Sequence, residues 1–162
     1  MEIKNHLFCT FSLLFALTVF AAFTSINAQT KTDSEILITI ERGPCFGPCP
    51  VYSAKIYNDG TVVYEGAEFV RVNGIKQHKI TVDKVKELIK AFEQIRYFSL
   101  KDRYDADENG MSMTDQPTTT TSISLNGKQK KVVNYYGAPK QLGELENLID
   151  SVASLYEYIV PI

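Results

Sequence analysis

The sequence predicts an α+β domain: an antiparallel β-sheet built from hairpins, with two helices packed on one face, following a cleaved signal peptide. Three observations carry that expectation. Runs of β-branched and aromatic residues alternate with polar ones, Asn-Gly and Asp-Gly pairs punctuate them, and two later stretches repeat apolar residues at helical spacing.

The chain opens MEIKNHLFCTFSLLFALTVFAAFTSINAQT, with Lys4 in a short polar start, an apolar run from Leu7 to Phe23 and the small Ala28 before Gln29. That layout is secretory, so residues 1–28 are read as a signal peptide and 29–162 as a single domain with a polar lead over 29–35. An uncleaved anchor is the alternative. Thr10, Ser12 and Thr18 interrupt the run, which is also short of the roughly 20 apolar residues of a membrane span. Cys9 precedes the end of the run, which argues against a lipid anchor there. The 17 basic and 19 acidic residues nearly balance, at a net charge of −2. A nucleic-acid partner wants a basic face, so none is expected; nor is stable membrane insertion after cleavage. The expected location is the periplasm or the outside of a bacterial cell.

ILITI at 36–40 is β-branched enough for a buried strand, and Pro50 closes the RGPCFGPCP loop that follows it. VYSAKIY and TVVYE then flank NDG. Taking Asn58, Asp59 and Gly60 as a three-residue loop pairs Ile56 with Val62 and Ala54 with Tyr64. Tyr52, Ala54, Ile56, Val62 and Tyr64 then share one face, and Ser53, Lys55, Thr61 and Glu65 the other. A two-residue turn would set Glu65 beside Ala54, so the longer loop with a left-handed Gly60 is expected. Asn73-Gly74 and Asn126-Gly127 mark two further hairpins, the first placing His78 opposite Phe69. Thr81 suits a helix N-cap, followed on one stripe by Val85, Leu88, Ile89, Phe92 and Ile95. Pro139 suits the first turn of a second helix, whose stripe is Leu142, Leu145, Leu148, Ile149, Val152 and Leu155.

Cys45 and Cys49 are the cysteines left after cleavage, and export makes them a disulfide. Closing so short a loop is worth roughly 2 kcal/mol by chain entropy, with Phe46 as an apolar plug beneath it. A thiol-disulfide redox site and a metal site are the alternatives. Redox enzymes favour C-x-x-C at a helix start, whereas these prolines oppose a helix, and only His78 remains as a nitrogen donor for a metal. Asp105, Asp107 and Asn109, with Gly110, match the first half of a D-x-D-x-N-G calcium loop. Met113, Gln116 and Pro117 spoil the second half, although Asp115 could add a ligand; the favoured reading is a solvated acidic loop. Lys128, Lys130 and Lys131 crowd a hairpin tip, and Tyr135 and Tyr136 follow; together they are a candidate contact surface.

CFGPCPVYSAKIYNDGTVVYEG, then FVRVNG, YFSLKDRYD, TDQPTTTTSISLNGKQKKVVNYYGAP and a terminal helix resemble the bacterial family known as domain of unknown function 6438. The likeness runs from about Ile36 to Leu155, and the C-F-G-x-C-P-x-Y opening is its most specific part. It implies one small exported domain and assigns no activity. ADENGMSM at 106–113 looks like an insertion relative to the family. With no G-x-S-x-G, H-E-x-x-H or phosphate loop, no catalytic residue and no cofactor are nominated. The expectation is a non-catalytic exported module that binds a protein, peptide or glycan.

Overall fold

The computed structural model describes residues 34–159. The proposed signal peptide lies outside the described residues. Seven strands form one sheet: β1 (Ile36–Arg42), β2 (Val51–Tyr57), β3 (Thr61–Glu68), β4 (Gly74–Lys79), β5 (Arg103–Asp105), β6 (Thr119–Leu125) and β7 (Lys128–Tyr136). The helices are α1 (Val82–Gln94), α2 (Lys140–Val152) and the short α3 (Tyr156–Ile159), with a 3₁₀ turn at Tyr97–Ser99 after α1. The strand order is β4-β3-β2-β1-β6-β7-β5. Every pair is antiparallel except β5 with β7, which is parallel.

The expected hairpin register holds. Ile56 pairs with Val62 and Ala54 with Tyr64, Gly60 is left-handed, and all five residues assigned to the inner face are buried. Asp59 fixes this turn by accepting from the Thr61 N–H at 2.9 Å and the Thr61 hydroxyl at 3.0 Å. Those bonds, the backbone one first, hold its carboxyl well below the usual carboxylate range. Asn126 and Gly127 both adopt positive φ, as a two-residue hairpin turn between Leu125 and Lys128 requires.

The other expected hairpin is different. Its ladder closes at Gly66↔Gly74, so 67–73 form a wide connection and Asn73-Gly74 is not its turn. His78 therefore faces Val62, not Phe69. The cause is tertiary: Tyr64 donates its hydroxyl to the Val72 carbonyl at 3.1 Å, and the Val72 N–H donates to the Tyr158 carbonyl at 3.0 Å. Val70 and Val72 are drawn onto the core, which outweighs the local turn preference of Asn-Gly.

Both long helices cover the same sheet face. Thr81 caps α1 by accepting from the Lys84 N–H at 3.3 Å, and Val85, Leu88 and Phe92 face inward. Leu142, Leu145, Ile149 and Val152 do the same for α2. Leu155 is fully buried too, but beyond the helix end, where Ser154 takes a positive φ and starts the turn into α3. Tyr97 ties the 3₁₀ turn to the sheet by donating its buried hydroxyl to the Thr121 carbonyl at 2.8 Å.

The turn from β7 into α2 rests on the segment that follows β5. Gly137 has φ +77°, and a methyl group there would collide with the carbonyl of Ala106. Gly137→Ala is expected to lower stability by roughly 2–4 kcal/mol in urea denaturation, through clash and backbone strain together. Gly127→Ala, equally left-handed but facing open space, should cost only about 1 kcal/mol. Equal losses at the two positions would show that the Ala106 contact contributes nothing.

Candidate functional site

The cysteine loop hangs between two residues that face each other across β1 and β2, Arg42 and Tyr52. Both point to the helix-covered side, and both end on Asp150 of α2. Arg42 Nη2 donates to Asp150 Oδ2 at 2.6 Å and Arg42 Nε at 3.1 Å, while the Tyr52 hydroxyl donates to Asp150 Oδ1 at 2.6 Å. The guanidinium also reaches the Tyr52 oxygen at 3.0 Å, Thr119 Oγ1 at 3.2 Å and Asn147 Oδ1 at 3.2 Å. One helical turn before Asp150, Glu146 accepts from Asn134 Nδ2 at 3.0 and 3.1 Å. The two carboxylates are 4% and 2% exposed for Glu146 and Asp150.

Burial governs the protonation of this cluster. Loss of solvent raises Glu146 to about 7, against the downward pull of Asn134 and Arg42 and with a further push from Asp150. Burial likewise raises Asp150, while Arg42 and the Tyr52 hydroxyl draw it back. Tyr52 is driven above the ordinary tyrosine range by burial and by the neighbouring Asp150, so its hydroxyl stays protonated and stays a donor. Each oxygen of Asp150 already accepts a bond. The arrangement is a strut joining β1, β2, β6 and α2.

The loop on this strut carries the cysteines. Cys45 and Cys49 are joined by a disulfide, with Cα atoms 5.8 Å apart. The loop's base is pinned by the Gly43 N–H donating to the Thr118 carbonyl at 2.8 Å, and its interior by short backbone bonds from Gly47 to Cys45 and from Cys49 to Gly47, each 2.9 Å. Neither cysteine lies in a helix, so no helix dipole acts on the sulfurs. The expected plug is absent: Phe46 is 89% exposed. The ring formed by the disulfide is too small to enclose a phenyl group, and the backbone turns the side chain outward.

The remaining sequence candidates are dispersed. Asp107 spends Oδ1 on the N–H groups of Asn109 and Met111, both at 2.9 Å, and Asp105 pairs with Arg103 at 3.1 Å. This is a self-capped turn. Asn109 and Asp115 are exposed in the same loop, and among the described residues no three His, Cys, Asp or Glu side chains converge on a point. Lys128 and Lys131 are exposed and Lys130 pairs with Asp102, at the end of the sheet opposite the cysteine loop. Tyr135 and Tyr136 are half-buried near the start of α2. His78 Nε2 lies 2.8 Å from the Ala153 carbonyl, and Nδ1 lies 3.3 Å from the Tyr158 hydroxyl.

Sequence reasoning missed Arg42, Tyr52, Asn134, Glu146 and Asp150 as a group. A signal was there: Leu142, Glu146 and Asp150 are successive i, i+4 positions, so two carboxylates lie on the inward row of α2.

The family profile described as domain of unknown function (DUF6438) matches residues 36–153, and the chain belongs to that family. The match contains every member of the buried cluster. No curated protein matches the chain.

Two outcomes test the strut. Tyr52→Phe strips Asp150 Oδ1 of its donor inside the protein and should cost roughly 1–3 kcal/mol in chemical denaturation. Glu146 gives a pH signature. Unfolded, it ionises near 4.5; folded, near 7. Between those values the native state holds the extra proton, so stability falls as pH rises, by roughly 3 kcal/mol for the whole shift. Asp150, raised chiefly by burial, adds a fall of the same sign. Glu146→Gln, which keeps an acceptor for Asn134, should flatten the difference between denaturation curves at about pH 5 and about pH 8. An unchanged slope would mean that Glu146 ionises normally.

Proposed function

We propose that this family member is an exported binding module without catalytic chemistry of its own, and that the disulfide-closed loop is the element that meets a protein or peptide partner. One observation carries the reading: Phe46, 89% exposed, stands at the tip of a loop clamped by Cys45–Cys49 and rooted on the Arg42–Asp150–Tyr52 strut. Burying a phenyl ring is worth roughly 2–3 kcal/mol, and folding leaves that gain unused here. A partner can collect it. The loop is already ordered, so contact costs little further entropy, which is the condition under which a small aromatic anchor binds well.

Further apolar surface supports the same end of the sheet. Phe69 is 54% exposed at positive φ in the neighbouring 67–73 connection, just beyond Glu68, which pairs with Val51 at the foot of the cysteine loop. Export rests on the leader read from residues 1–28, and a disulfide suits an oxidising compartment.

Photo-crosslinking in the producing cells tests the reading. A photoreactive residue replacing Phe46 should give a discrete adduct, and one replacing Glu87 on the exposed side of α1 should not. Phe46→Ser, at a position with no packing to lose, should abolish competition for that adduct while leaving the melting temperature unchanged. The exported protein should have an intact mass that starts at Gln29 and contain no free thiol. Equal competition by Phe46→Ser overturns the loop as contact element; retention of residues 1–28 in a membrane fraction overturns cleavage.

A further inference from the structure

At the end of the sheet opposite the cysteine loop, β1 and β6 separate. Their ladder runs from Arg42↔Thr119 to Ile38↔Ile123 and ends, whereas β6 and β7 stay paired through Ser124↔Gln129 to Leu125↔Lys128. On its other side β1 shifts register against β2 between Ile36 and Ile38, an irregularity of the kind that bends a strand away from its neighbour. The parting leaves a notch of about 530 Å³. Ile36, Leu37 and Ile123 line its apolar part, and Ser122, Ser124, Gln129, Lys130 and Lys131 its polar part. Ile36 is 42% exposed there despite lying in a strand.

The charges around the notch are unequal. Lys130 is held by Asp102. Lys131 is exposed and forms no ion pair among the described residues. On the open face of the sheet, the row through Lys131 continues to Ser122 and Thr39, whose hydroxyls bond each other at 2.6 Å. One uncompensated ammonium group, that of Lys131, therefore stands on the open face at the mouth of the recess.

We propose that this notch binds an amphipathic anion, a straight-chain carboxylate whose aliphatic part lies along Ile36 and Leu37 and whose head faces Lys131. The volume falls within the roughly 300–1,000 Å³ of small-molecule sites. Lysine ammonium groups on flexible stems suit a head group that sits at the rim and stays partly hydrated. The site is separate from the Phe46 loop, at the other end of β1, and stands whether or not that loop meets a partner.

Titration of ¹⁵N-labelled protein, expressed from the full-length sequence and recovered as the cell exports it, tests the proposal. Decanoate is the probe, decyltrimethylammonium keeps the chain with the opposite charge, and acetate keeps the head alone. Saturable amide shifts confined to Ile36, Leu37 and the 122–131 hairpin are expected with decanoate only. Lys131→Glu, an exposed change that should leave the rest of the spectrum in place, is expected to weaken decanoate about tenfold, the scale of one lost charge-assisted contact. Ile36→Asp should weaken it at least as much by charging the apolar wall. Equal binding of the cationic detergent, equal shifts with acetate, unaltered affinity in Lys131→Glu, or shifts centred on Phe46 would each overturn the site.

Discussion

Asp150 sits almost fully buried on the inner side of α2, and the fold has to be built so that two specific residues reach it. A carboxylate removed from water costs several kcal/mol unless its lone pairs are met, and replacement by apolar residues of similar size is often no worse for stability. The junction therefore specifies more than it stabilises. Arg42 and Tyr52 meet Asp150 together only when they lie opposite each other on β1 and β2. A slip of one residue would send either side chain to the open face and leave a charge inside. Thr119 and Asn147 extend the condition to β6 and to the facing turn of α2, so strand register, strand order and helix rotation are checked at one point.

The same junction sets what the cysteine loop can do. Its two ends leave from Arg42 and return at Tyr52, and Gly43 is bonded to Thr118 on the far side. With the base held by buried charge, a ring closed by a disulfide adds little to global stability on chain-entropy grounds, about 2 kcal/mol. Its effect is local. It removes the freedom of the five residues Cys45–Cys49, which would otherwise let Phe46 collapse onto nearby apolar surface. An exposed phenyl group on a floppy loop would find such a contact; on this loop it has no route to one.

The elements that proved legible are those whose signal is local and repeated. Alternation fixed the β2–β3 register because only one loop length buries Tyr52, Ala54 and Ile56 with Val62 and Tyr64, and the Thr81 cap follows from hydroxyl chemistry at a helix start. The misread β3–β4 connection shows the limit. Asn73-Gly74 is a sound turn signal, but the bonds that displace it come from Tyr64 and Tyr158, the latter 86 residues along the chain from Val72. Phe46 was misplaced because apolar character says nothing about which way a constrained loop points. The strut stayed hidden for a related reason. Glu146 and Asp150 read as ordinary helical acids unless their positions on the Leu142 row are followed; the partners of Asp150 lie about 100 residues upstream in β1 and β2, and that of Glu146 lies in β7.

The open face and the edges of the sheet are kept polar or short. The open face of the central strands is stocked with hydroxyl and charged residues, Thr39, Ser53, Thr120 and Ser122 beside Glu41, Lys55 and Glu65. Thr39 and Ser122 satisfy each other, so that face needs no covering layer to stay wetted. One edge, β4, carries Lys76 and Lys79, and the other, β5, has only three residues; both are ways of discouraging a further strand from adding. Single exposed apolar side chains do occur across that surface, Ile75, Val82, Phe98 and Met111 among them, as is ordinary for a folded protein. Phe46 and Ile36 differ in their setting: a clamped loop holds the one and a parted ladder the other. In both places a covalent or register constraint opposes burial, and that is the ground on which a partner for the loop and a ligand for the notch are proposed.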